Sequence, residues 1–497
     1  MQNLNSFKFY EYLKISFLEK IKIDRDFINQ FFEFFQGVIF LVDSINNAYS
    51  EENKAEVVKT AEEEDVKFIR LQFTDLRGVI KATAITVRHL EDALHDGVGF
   101  DGSSILGFTP IEESDMLLVP DPNTFTVFQW KRGAVKDARI ICDVYWPNGQ
   151  RFEGDPRYIA HKAAEKAKKE GYKYKCGPEM EFFLFKKESE DSKPEKIDSG
   201  GYFDFHPFDL AEDFRREMVL MLEKFGIEIE MSHHEGGPSQ YEVDFMFGDL
   251  VTTADRVITY KMVAKTMAHL RGYIASFMPK PIFGAFGSGM HTHQSLWDIK
   301  EGKNAFFDHE NKITGALSET ALYFIGGLLH HTRALTAIVA PTINSYKRLV
   351  PGYEAPVYIS WARKNRSTLI RVPEYFPGME NAMRVEFRCP DPSCNPYLAF
   401  ACMCNAGLDG IKKKIMPPEP VEADIFHMSA KEKVELGIRS LPGTLAEALD
   451  ELENDKVLQE ALGEHLYENF ITLKRKEWDE FRVQVTDWEI EKYLRHA

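Results

Sequence analysis

The stretch Gly177–Phe185 (GPEMEFFLF) has the alternation of a β-strand. Successive side chains of a strand point to opposite faces of a sheet, so Glu179 and Glu181 share one face while Met180 and Phe182 share the other. One face of this strand is therefore acidic and the other apolar. We predict that it lies in an antiparallel sheet with one polar face.

Three further segments place acids and imidazoles on polar faces in the same way. For any one segment, an ordinary solvated face is the simpler interpretation, but together the segments concentrate five Glu and two His where Lys, Thr and Gln are more usual. The residues are His291, His293 and Ser295 in Met290–Leu296 (MHTHQSL), Arg384, Glu386 and Arg388 around Val385 and Phe387, and Glu235 and Glu242 on either side of the turn-rich GGPSQ, which predicts a hairpin.

The rest of the chain mixes strands and helices, which favours an α+β fold over a doubly wound parallel sheet. The segment at 186–196 (KKESEDSKPEK) is predicted to be a solvated loop. The predicted strands are Val66–Phe73, Val79–Thr86, Pro120–Trp130, Arg139–Tyr145, Tyr172–Phe185, Ile282–Leu296 and Arg384–Arg388, and the predicted helices run from Asp155–Pro156 to Gly171 and over Asp209–Phe225, Thr253–Met278, Leu317–Val339 and Pro396–Lys413.

Composition and charge exclude several classes of protein. The 497 residues are 44% hydrophobic and carry a net charge of −17, which suits a globular chain of two to four domains and argues against nucleic acid as a partner. No apolar run is long enough to span a bilayer, and the start of the chain lacks a signal-peptide pattern. Six scattered cysteines predict free thiols in a reducing compartment. We expect a cytoplasmic protein without a membrane partner.

The first fifty residues differ from the rest because they contain twelve aromatic residues, whereas aromatics make up 13% of the whole chain. A helix over Asp26–Val42 would be apolar on too many sides for a solvated surface. We interpret residues 1–55 as an atypical extension, either an arm that binds a partner or translated sequence upstream of the true start.

Five glutamates and a histidine form a ligand set for two divalent cations. Mg²⁺ or Mn²⁺ prefers oxygen ligands and commonly bridges phosphates, while zinc more often has Cys or His-rich ligation and is the second choice. Arginine offers a planar fork that suits phosphate and carboxylate. Paired metals beside arginines indicate phosphoryl transfer. The chain has no Walker-type loop, and the glycine-rich Gly284–Gly289 (GAFGSG) is a weak signal on its own.

Longer motifs identify a resemblance. From about Glu56 to its end, the sequence closely resembles glutamine synthetase of the bacterial and archaeal type I family. The motifs that carry the resemblance are Phe100–Ile105 (FDGSSI), Glu113–Met116 (ESDM), Gly177–Glu181 (GPEME), His233–Glu235 (HHE), Gly287–His293 (GSGMHTH), Arg348–Pro356 (RLVPGYEAP), Asn365–Ser367 (NRS) and Arg388–Tyr397 (RCPDPSCNPY).

The resemblance implies ATP-dependent ligation of ammonia to L-glutamate through γ-glutamyl phosphate, with two Mg²⁺ or Mn²⁺ ions per site. It also implies a role for each matching residue. One metal is held by Glu181, Glu235 and Glu242, and the second by Glu179, His291 and Glu386; ATP contacts Glu230, His293, Ser295, Arg366, Arg371 and Arg384; glutamate contacts Gly287, Arg348, Glu354 and Arg388; the ammonium pocket comprises Asp101, Ser104, Tyr202 and Glu235; and Asp101, Glu354 and Arg366 act in catalysis, with Glu354 on a mobile flap.

The resemblance further implies a small β-grasp domain at 56–155 and a catalytic domain at 156–497 with an antiparallel sheet flanked by helices, as in the glutamine synthetase/guanido kinase-like fold. Such chains assemble as a dodecamer of two stacked hexameric rings, with each active site between two subunits and Asp101 contributed by the neighbour. A nitrogen-sensor protein of the PII type, to which archaeal relatives respond, is a candidate partner.

Three positions depart from the family pattern. Phe286 stands where an asparagine usually touches glutamate, Phe426 where one branch has a tyrosine that is adenylylated, and Pro110 where another branch has an arginine linked to feedback inhibition. Neighbouring groups would still hold glutamate. Two alternatives stay open at this stage: a related γ-glutamyl ligase that uses another amine, and an inactive scaffold of the same fold.

Overall fold

The structure is a computed structural model that describes residues 49–109, 114–130, 135–186, 195–311, 316–353 and 355–496. The helix predicted at 26–42, most of the loop predicted at 186–196, and the positions Pro110 and Glu354 lie outside these residues. Within the described ranges, no helix has both the length and the apolar character needed to cross a membrane.

The first part of the described chain forms a six-stranded sheet in which β1 and β6 run parallel at the centre and the other pairs are antiparallel. Helix α1 begins before residue 56: Ser50 caps it, and Lys54 on its first turn is buried. The elements are α1 (Glu51–Glu63), β1 (Val66–Thr74), β2 (Ile80–Thr86), α2 (Leu90–Asp96), β3 (Val98–Asp101), β4 (Asp115–Pro120), β5 (Thr126–Val127) and β6 (Lys136–Tyr145).

The second part is larger and combines helices with two main sheets, so the α+β fold class is confirmed. Its elements are α3 (Pro156–Lys169), β7 (Tyr172–Pro178), β8 (Glu181–Lys186), β9 (Glu195–Lys196), α4 (Glu212–Lys224), β10 (Ile229–His234), β11 (Gln240–Phe245), β12 (Gly248–Asp249), α5 (Leu250–Leu270), β13 (Tyr273–Ser276), β14 (Thr292–Asp298), β15 (Lys303–Asn304), α6 (Glu319–Val339), α7 (Ser345–Arg348), β16 (Tyr358–Ile359), β17 (Trp361–Ala362), β18 (Ile370–Arg371), β19 (Val385–Phe387), α8 (Pro396–Lys413), α9 (Ala430–Glu435), β20 (Arg439–Ser440), α10 (Leu445–Glu453), α11 (Lys456–Leu462), α12 (Glu464–Arg482) and α13 (Asp487–Tyr493).

We name the two main sheets the hairpin sheet and the central sheet. The hairpin sheet has the order β10–β11–β8–β13 with β9 beside β8, and the central sheet has the order β12–β7–β14–β19–β18–β17 with β15 beside β14. Every pair in them is antiparallel except β17 with β18. The predicted antiparallel pairing is therefore confirmed apart from one edge pair.

The prediction of one continuous strand over Tyr172–Phe185 is wrong. Strand β7 pairs with β14 and ends at Pro178, while β8 begins at Glu181 and pairs with β11. Pro178 has no amide hydrogen, so it cannot continue the ladder of the central sheet. The chain passes from one sheet to the other at Glu179, and Tyr260 of α5 donates a hydrogen bond of 3.1 Å to the Met180 carbonyl just beyond it.

Other boundaries also differ from the predictions. The strand predicted over Pro120–Trp130 is interrupted by a 3₁₀ turn at Pro122–Thr124, again because proline cannot donate to a ladder. The strand predicted over Ile282–Leu296 is confined to β14, because the chain before it contains a tight turn with Gly284 at φ +78°. The helix predicted over Thr253–Met278 spans Leu250–Leu270 and is followed by Gly272 at φ +75°.

The predicted helix bounds agree with the structure to within three residues for α3, α4, α6 and α8. Asp155 accepts a hydrogen bond from the Arg157 amide at 2.9 Å and caps α3, as its sequence with Pro156 predicts. The last helix of the core, α8, has the predicted bounds. Helix α4 starts three residues later than predicted, and α6 two residues later, behind a cap at Ser318.

Candidate functional site

Glu179, in the short connection between β7 and β8, lines a cleft of about 660 Å³. Most of the residues that the sequence singled out line it, although they come from separate segments of the chain. Those in the walls are Glu179, Glu181, Tyr202, Glu235, Glu242, Gly287, His291, Arg348, Arg366, Arg371, Glu386 and Arg388, together with His233, Gln240, Phe286 and Gly289.

The first cluster consists of Glu179, His291 and Glu386, which the central sheet brings together. One donor atom of each lies within 4.8 Å of the other two. His291 Nδ1 is 3.2 Å from Glu179 Oε2 and 4.0 Å from Glu386 Oε1. These are the three residues that the resemblance groups as one metal site.

Positive charge from the chain itself surrounds this cluster. Burial alone would raise the pKa of Glu386, but Arg388 and the nearby histidines lower it to about 2, and Arg371 and Arg388 both donate hydrogen bonds to this carboxylate. Burial acts on Glu179 too, yet hydrogen bonds from His291 and His293 hold the pKa of Glu179 well below its usual value. Both carboxylates are therefore ionised at neutral pH.

The second cluster consists of His233, Glu235 and Glu242 on the β10–β11 hairpin, which confirms the predicted hairpin. The Glu235 amide donates to the Gln240 carbonyl at 2.8 Å and closes the turn. His233 Nε2 lies 3.0 Å from Glu235 Oε1 and 3.8 Å from Glu242 Oε1. Among the described residues, His233 is the basic side chain within 4 Å of these two acids.

Acid charge accumulates around the second cluster. Burial, and then the neighbouring Asp244, raise the pKa of Glu242 well above its usual value. Burial and Glu179 raise the pKa of Asp244 to about 8. Since no arginine or lysine among the described residues forms an ion pair with Glu235 or Glu242, the chain leaves this cluster with a surplus of acid groups.

Glu181 connects the two clusters. Its Oε2 accepts hydrogen bonds from the Gly289 amide at 3.0 Å and from Gln240 Nε2 at 2.8 Å, and its Oε1 is 4.0 Å from His291 Nδ1. Burial, reinforced by Glu235, raises the pKa of Glu181 to about 8. A cation near Glu181 would reverse that shift by stabilising the ionised form.

Two glycines allow the backbone to come close to these groups. A Cβ at Gly289 would lie 2.8 Å from both Arg348 Nη2 and His291 Nε2, and a Cβ at Gly287 would lie 2.5 Å from the Pro279 carbonyl oxygen. A side chain at Gly289 would therefore displace Arg348 or His291, and a side chain at Gly287 would clash with the backbone of Pro279. The GSG motif is therefore explained by close packing around the cleft.

The arginines differ in how firmly they are held. Arg348 is buried and donates to the carbonyl oxygens of Cys389 and Arg388 at 2.8 and 3.1 Å, so its guanidinium is fixed. Arg384 donates to His293 Nδ1 at 3.1 Å. Arg366 is exposed and forms a hydrogen bond with Tyr202. The cleft thus combines rigid cations near its floor with an exposed one at its mouth.

Some predicted site residues do not line the cleft. His293 lies behind Glu179, with Nε2 2.8 Å from Glu179 Oε1, Ser295 is buried further along β14, and Glu230 is exposed on β10. Tyr353 and Ala355, which flank Glu354, line the cleft. Glu354 itself is outside the described residues.

Asp101 and Ser104 lie apart from the cleft of their own chain. Both are exposed at the end of β3 and in the turn that follows it. The hydroxyl and amide of Ser103 donate to Asp101 Oδ1 at 2.7 and 2.8 Å and lower the pKa of Asp101, so this carboxylate is ionised and accessible.

The donor sets fit divalent cations. Each cluster offers two carboxylates and one imidazole, and carboxylate oxygens are the ligands that Mg²⁺ and Mn²⁺ prefer. The buried His233 Nδ1 has no hydrogen-bond partner within the described residues, and the pKa values of Glu181 and Glu242 are raised. A bound cation would relieve both the charge repulsion and the burial penalty of these acids.

Comparison with known proteins identifies the family. Residues 153–493 match the family described as glutamine synthetase, catalytic domain, and residues 65–147 match glutamine synthetase, beta-Grasp domain. The chain belongs to the glutamine synthetase family. Proteins named glutamine synthetase from Methanosarcina mazei and Thermotoga maritima are 54% and 52% identical to it, over 89% and 88% of this chain and 97% and 98% of theirs.

A solved structure supports the same conclusion. The chain titled "GmaS/ADP complex-Conformation 1" has a TM-score of 0.78 and 31% identity, and the match covers 88% of this chain and 99% of that one. A glutamine synthetase has an N-terminal β-grasp domain and a large catalytic domain, so the six-stranded sheet and the two-sheet part are assigned to these domains.

Sequence reasoning missed two groups of this glutamine synthetase site. His233 belongs to the HHE motif, which carries the family resemblance but does not by itself indicate that its first histidine lies beside the two acids. Gln240 and Asp244 share the face of β11 with Glu242, so the period-two rule that singled out Glu242 also predicts their direction. The alternation therefore indicates the direction of both side chains. Their residue types alone do not predict a functional site, because an amide and one more acid are common on solvated strands.

Phe286, where the resemblance implies an asparagine, lies in the wall of the cleft. A Cβ at Gly236 would lie 3.2 Å from its ring, so the ring packs over the turn that precedes β11. Phe426 lies in a short 3₁₀ turn beside Tyr358, with ring centroids 6.4 Å apart.

Proposed function

We propose that the protein is a glutamate–ammonia ligase that forms L-glutamine, ADP and phosphate from L-glutamate, ammonia and ATP. The observation that carries the proposal is the pair of carboxylate–histidine clusters, joined by Glu181, that share one cleft with Arg348, Arg371 and Arg388. Proteins about 50% identical over nearly their whole length bear the name glutamine synthetase.

The residues of the cleft suit this reaction. A carboxylate is a poor electrophile, so the γ-carboxylate of glutamate must first take the γ-phosphoryl group of ATP, which brings two anions together.

The arginines of the cleft offset this charge. Arg366 and Arg371 neutralise phosphate charge, with Arg384 behind them. Arg348 and Arg388 hold the glutamate carboxylates beside Gly287. Two ions, Mg²⁺ or Mn²⁺, supply charge neutralisation when bound by Glu181, Glu235 and Glu242 and by Glu179, His291 and Glu386. Glu230, His293 and Ser295 lie outside the lining of this cleft, and we assign them to the part of the nucleotide that extends beyond it.

Ammonium must lose a proton before it can attack the acyl phosphate. Asp101 is an exposed, ionised carboxylate and serves as the base, with Ser104, Tyr202 and Glu235 around the ammonium ion. Because Asp101 does not line the cleft of its own chain, it acts in the cleft of a neighbouring subunit. Glu354, on the loop between Tyr353 and Ala355, excludes water from the acyl phosphate.

The assembly that satisfies this arrangement is a dodecamer of two hexameric rings in the cytoplasm, with a PII-type sensor as a regulatory partner. A heterologous ring interface lets each subunit give Asp101 to one neighbour and receive it from the other. All six cysteines are free and buried, as suits a reducing compartment.

Glutamine formation by the full-length protein tests the proposal. We expect it to require ATP, ammonium and a divalent cation, and to release one ADP per glutamine. Faster turnover with methylamine than with ammonium would instead indicate a γ-glutamyl-amine ligase, and no turnover with either amine would indicate a scaffold. The curated relatives favour ammonia over these alternatives.

Complementation tests the shared site. Asp101→Ala should slow amide formation by roughly 10²–10⁴-fold while sparing nucleotide binding. Glu386→Ala should also weaken metal-dependent nucleotide binding. Reassembly of the two variants together should restore part of the activity, because some interfaces then contain both native halves. No recovery despite proven co-assembly would place Asp101 and the metal ligands in one chain.

A further inference from the structure

A second cavity, of about 610 Å³, lies between α3 and α11 and is nearly as large as the substrate cleft. Its volume is within the range of ordinary small-molecule sites. The charged residues in its walls are Arg151, Lys162, Lys166, Lys169, Glu165 and Glu460. Four cations therefore face two acids, on a chain whose net charge is −17.

The lysines of this cavity lack acidic partners. Among the described residues, no carboxylate forms an ion pair with Lys162, Lys166 or Lys169, and the Lys166 ammonium instead donates to the Asn405 side-chain oxygen at 2.6 Å. Glu165 is already paired with Lys168, which does not line the cavity, at 3.4 Å. Three ammonium groups at one cavity with one unpaired acid, Glu460, form a site of positive potential.

Two further side chains of the wall have buried nitrogen atoms that make no hydrogen bond within the described residues. Arg151 Nε and His161 Nε2 are buried and have no hydrogen-bond partner within the described part of the chain. Arg151 is held in place by its ion pair with Asp143 at 2.7 Å and lies 4.8 Å above the ring of Tyr158. The wall is therefore preorganised on the side of Arg151, where Asp143 Oδ1 also lies 3.7 Å from His161 Nε2.

The start of helix α12 adds to this potential. Gly463 caps the 19-residue helix without a side-chain hydrogen bond, and a Cβ there would lie 3.9 Å from Lys162 Nζ. The preceding residues Glu460 and Ala461 line the cavity. The amide groups at a helix N-terminus carry partial positive charge and favour anions, so the helix end and the lysines act in the same direction.

We propose that this cavity is a second anion-binding site that takes a phosphate-bearing small molecule. Three flexible ammonium groups suit a phosphate group with several anionic oxygens, because each lysine acts as a point charge that can reach a separate oxygen. The cavity is separate from the substrate cleft, as no residue lines both. An effector bound here would contact α3 and α11 without competing with substrates.

Titration of the full-length protein with inorganic pyrophosphate, followed by calorimetry, tests the proposal. A chelator should be present, because it removes the divalent cations that would bridge pyrophosphate to the acids of the substrate cleft. We expect one site per chain. Lys162→Gln with Lys169→Gln should weaken binding by at least roughly 30-fold, since each charged hydrogen bond contributes about tenfold, and basal glutamine synthesis should be unchanged.

A control of equal charge separates a built site from general attraction. Lys136→Gln with Lys173→Gln removes two lysines that are already paired with Glu64 and Asp249, and neither these lysines nor their partners line the cavity. It should change pyrophosphate binding by less than about threefold. Equal loss in both double variants, or unchanged binding in the cavity variant, would overturn the site. Citrate that binds as tightly as pyrophosphate would overturn the assignment to phosphate.

Discussion

The two carboxylate clusters of the cleft resemble each other in composition but differ in how their charge is balanced. In the first, Glu386 accepts hydrogen bonds from Arg371 and Arg388, and its pKa falls to about 2. In the second, Glu242 pairs only with His233 among the described residues, at 3.8 Å, and its pKa rises well above the usual value.

This difference shows that carboxylates and a histidine can form a metal site either already ionised or still protonated before the metal binds. The first cluster is ionised and fixed before a metal arrives, so a metal there gains preformed ligands. The second cluster with Glu181 holds protons in the absence of a metal, so a metal must displace them. We expect the second cluster to account for most of the dependence of folding stability on metal and on pH.

The largest effect should come from neutralising one acid in each cluster. Without divalent cations, Glu386→Gln leaves Arg371 and Arg388 with an uncompensated charge and should lower the free energy of unfolding by about 3–5 kcal/mol. Glu242→Gln removes an acid that burial disfavours and should leave stability unchanged or higher. Both variants should lose glutamine synthesis.

Denaturant unfolding in the presence of a chelator measures this contrast. Similar destabilisation by both substitutions would show that the two clusters have the same charge balance. Glu447→Gln, at an exposed helix start, provides a control for the substitution itself. It should cost at most about 1 kcal/mol, as expected for loss of a local cap interaction.

The change in stability for each unit of pH should be the next largest effect. The folded pKa values of Glu181 and Asp244 are raised to about 8, above the values near 4 in an unfolded chain. The folded state therefore binds more protons, and metal-free stability should fall as pH rises from about 4 to about 8, by about 1.4 kcal/mol per pH unit for each group. Glu181→Gln should reduce this slope, and saturating Mg²⁺ should reduce it in the native protein. An unchanged slope in the variant would mean that another group titrates.

Local periodicity indicated five of the six members of the two clusters, all except His233, but not the way in which the clusters meet. The alternation in β14 and the turn-rich GGPSQ correctly indicated His291 and the hairpin of Glu235 and Glu242, because these depend on neighbours in sequence. The passage of the chain between sheets at Glu179 depends on how two sheets pack, which no window of residues contains. The positions of Arg348 and Glu181 against Gly289 likewise arise from contacts between distant segments.

Proton release during metal binding should give a smaller, countable effect. At pH 7 a metal that binds near Glu181 and Glu242 must displace protons, whereas Glu179 and Glu386 are already ionised. Calorimetric Mg²⁺ titration in two buffers with different ionisation enthalpies counts these protons. Glu181→Gln should release about one proton fewer than the native protein. The same count in both would contradict the assignment of a proton to Glu181.

The smallest effect concerns Phe286, which lies beside the second cluster and packs over the turn at Gly236. Its ring supplies an apolar wall at a position where the family resemblance implies an asparagine that contacts glutamate. Phe286→Asn should restore one hydrogen bond of about 1 kcal/mol and lower the KM for glutamate about fivefold, with kcat changed little, because the bond forms in the ground state as well as in the transition state.

Phe286→Leu is the matched control, because it shortens the side chain without adding an amide. If the hydrogen bond is responsible, only the asparagine variant lowers the KM for glutamate. A fall in KM with both variants would instead show that the ring obstructs the glutamate site. Unchanged KM with asparagine would mean that Arg348 and the backbone around Gly287 already fix glutamate. The second cluster would then influence substrate binding through its charge and not through the wall beside it.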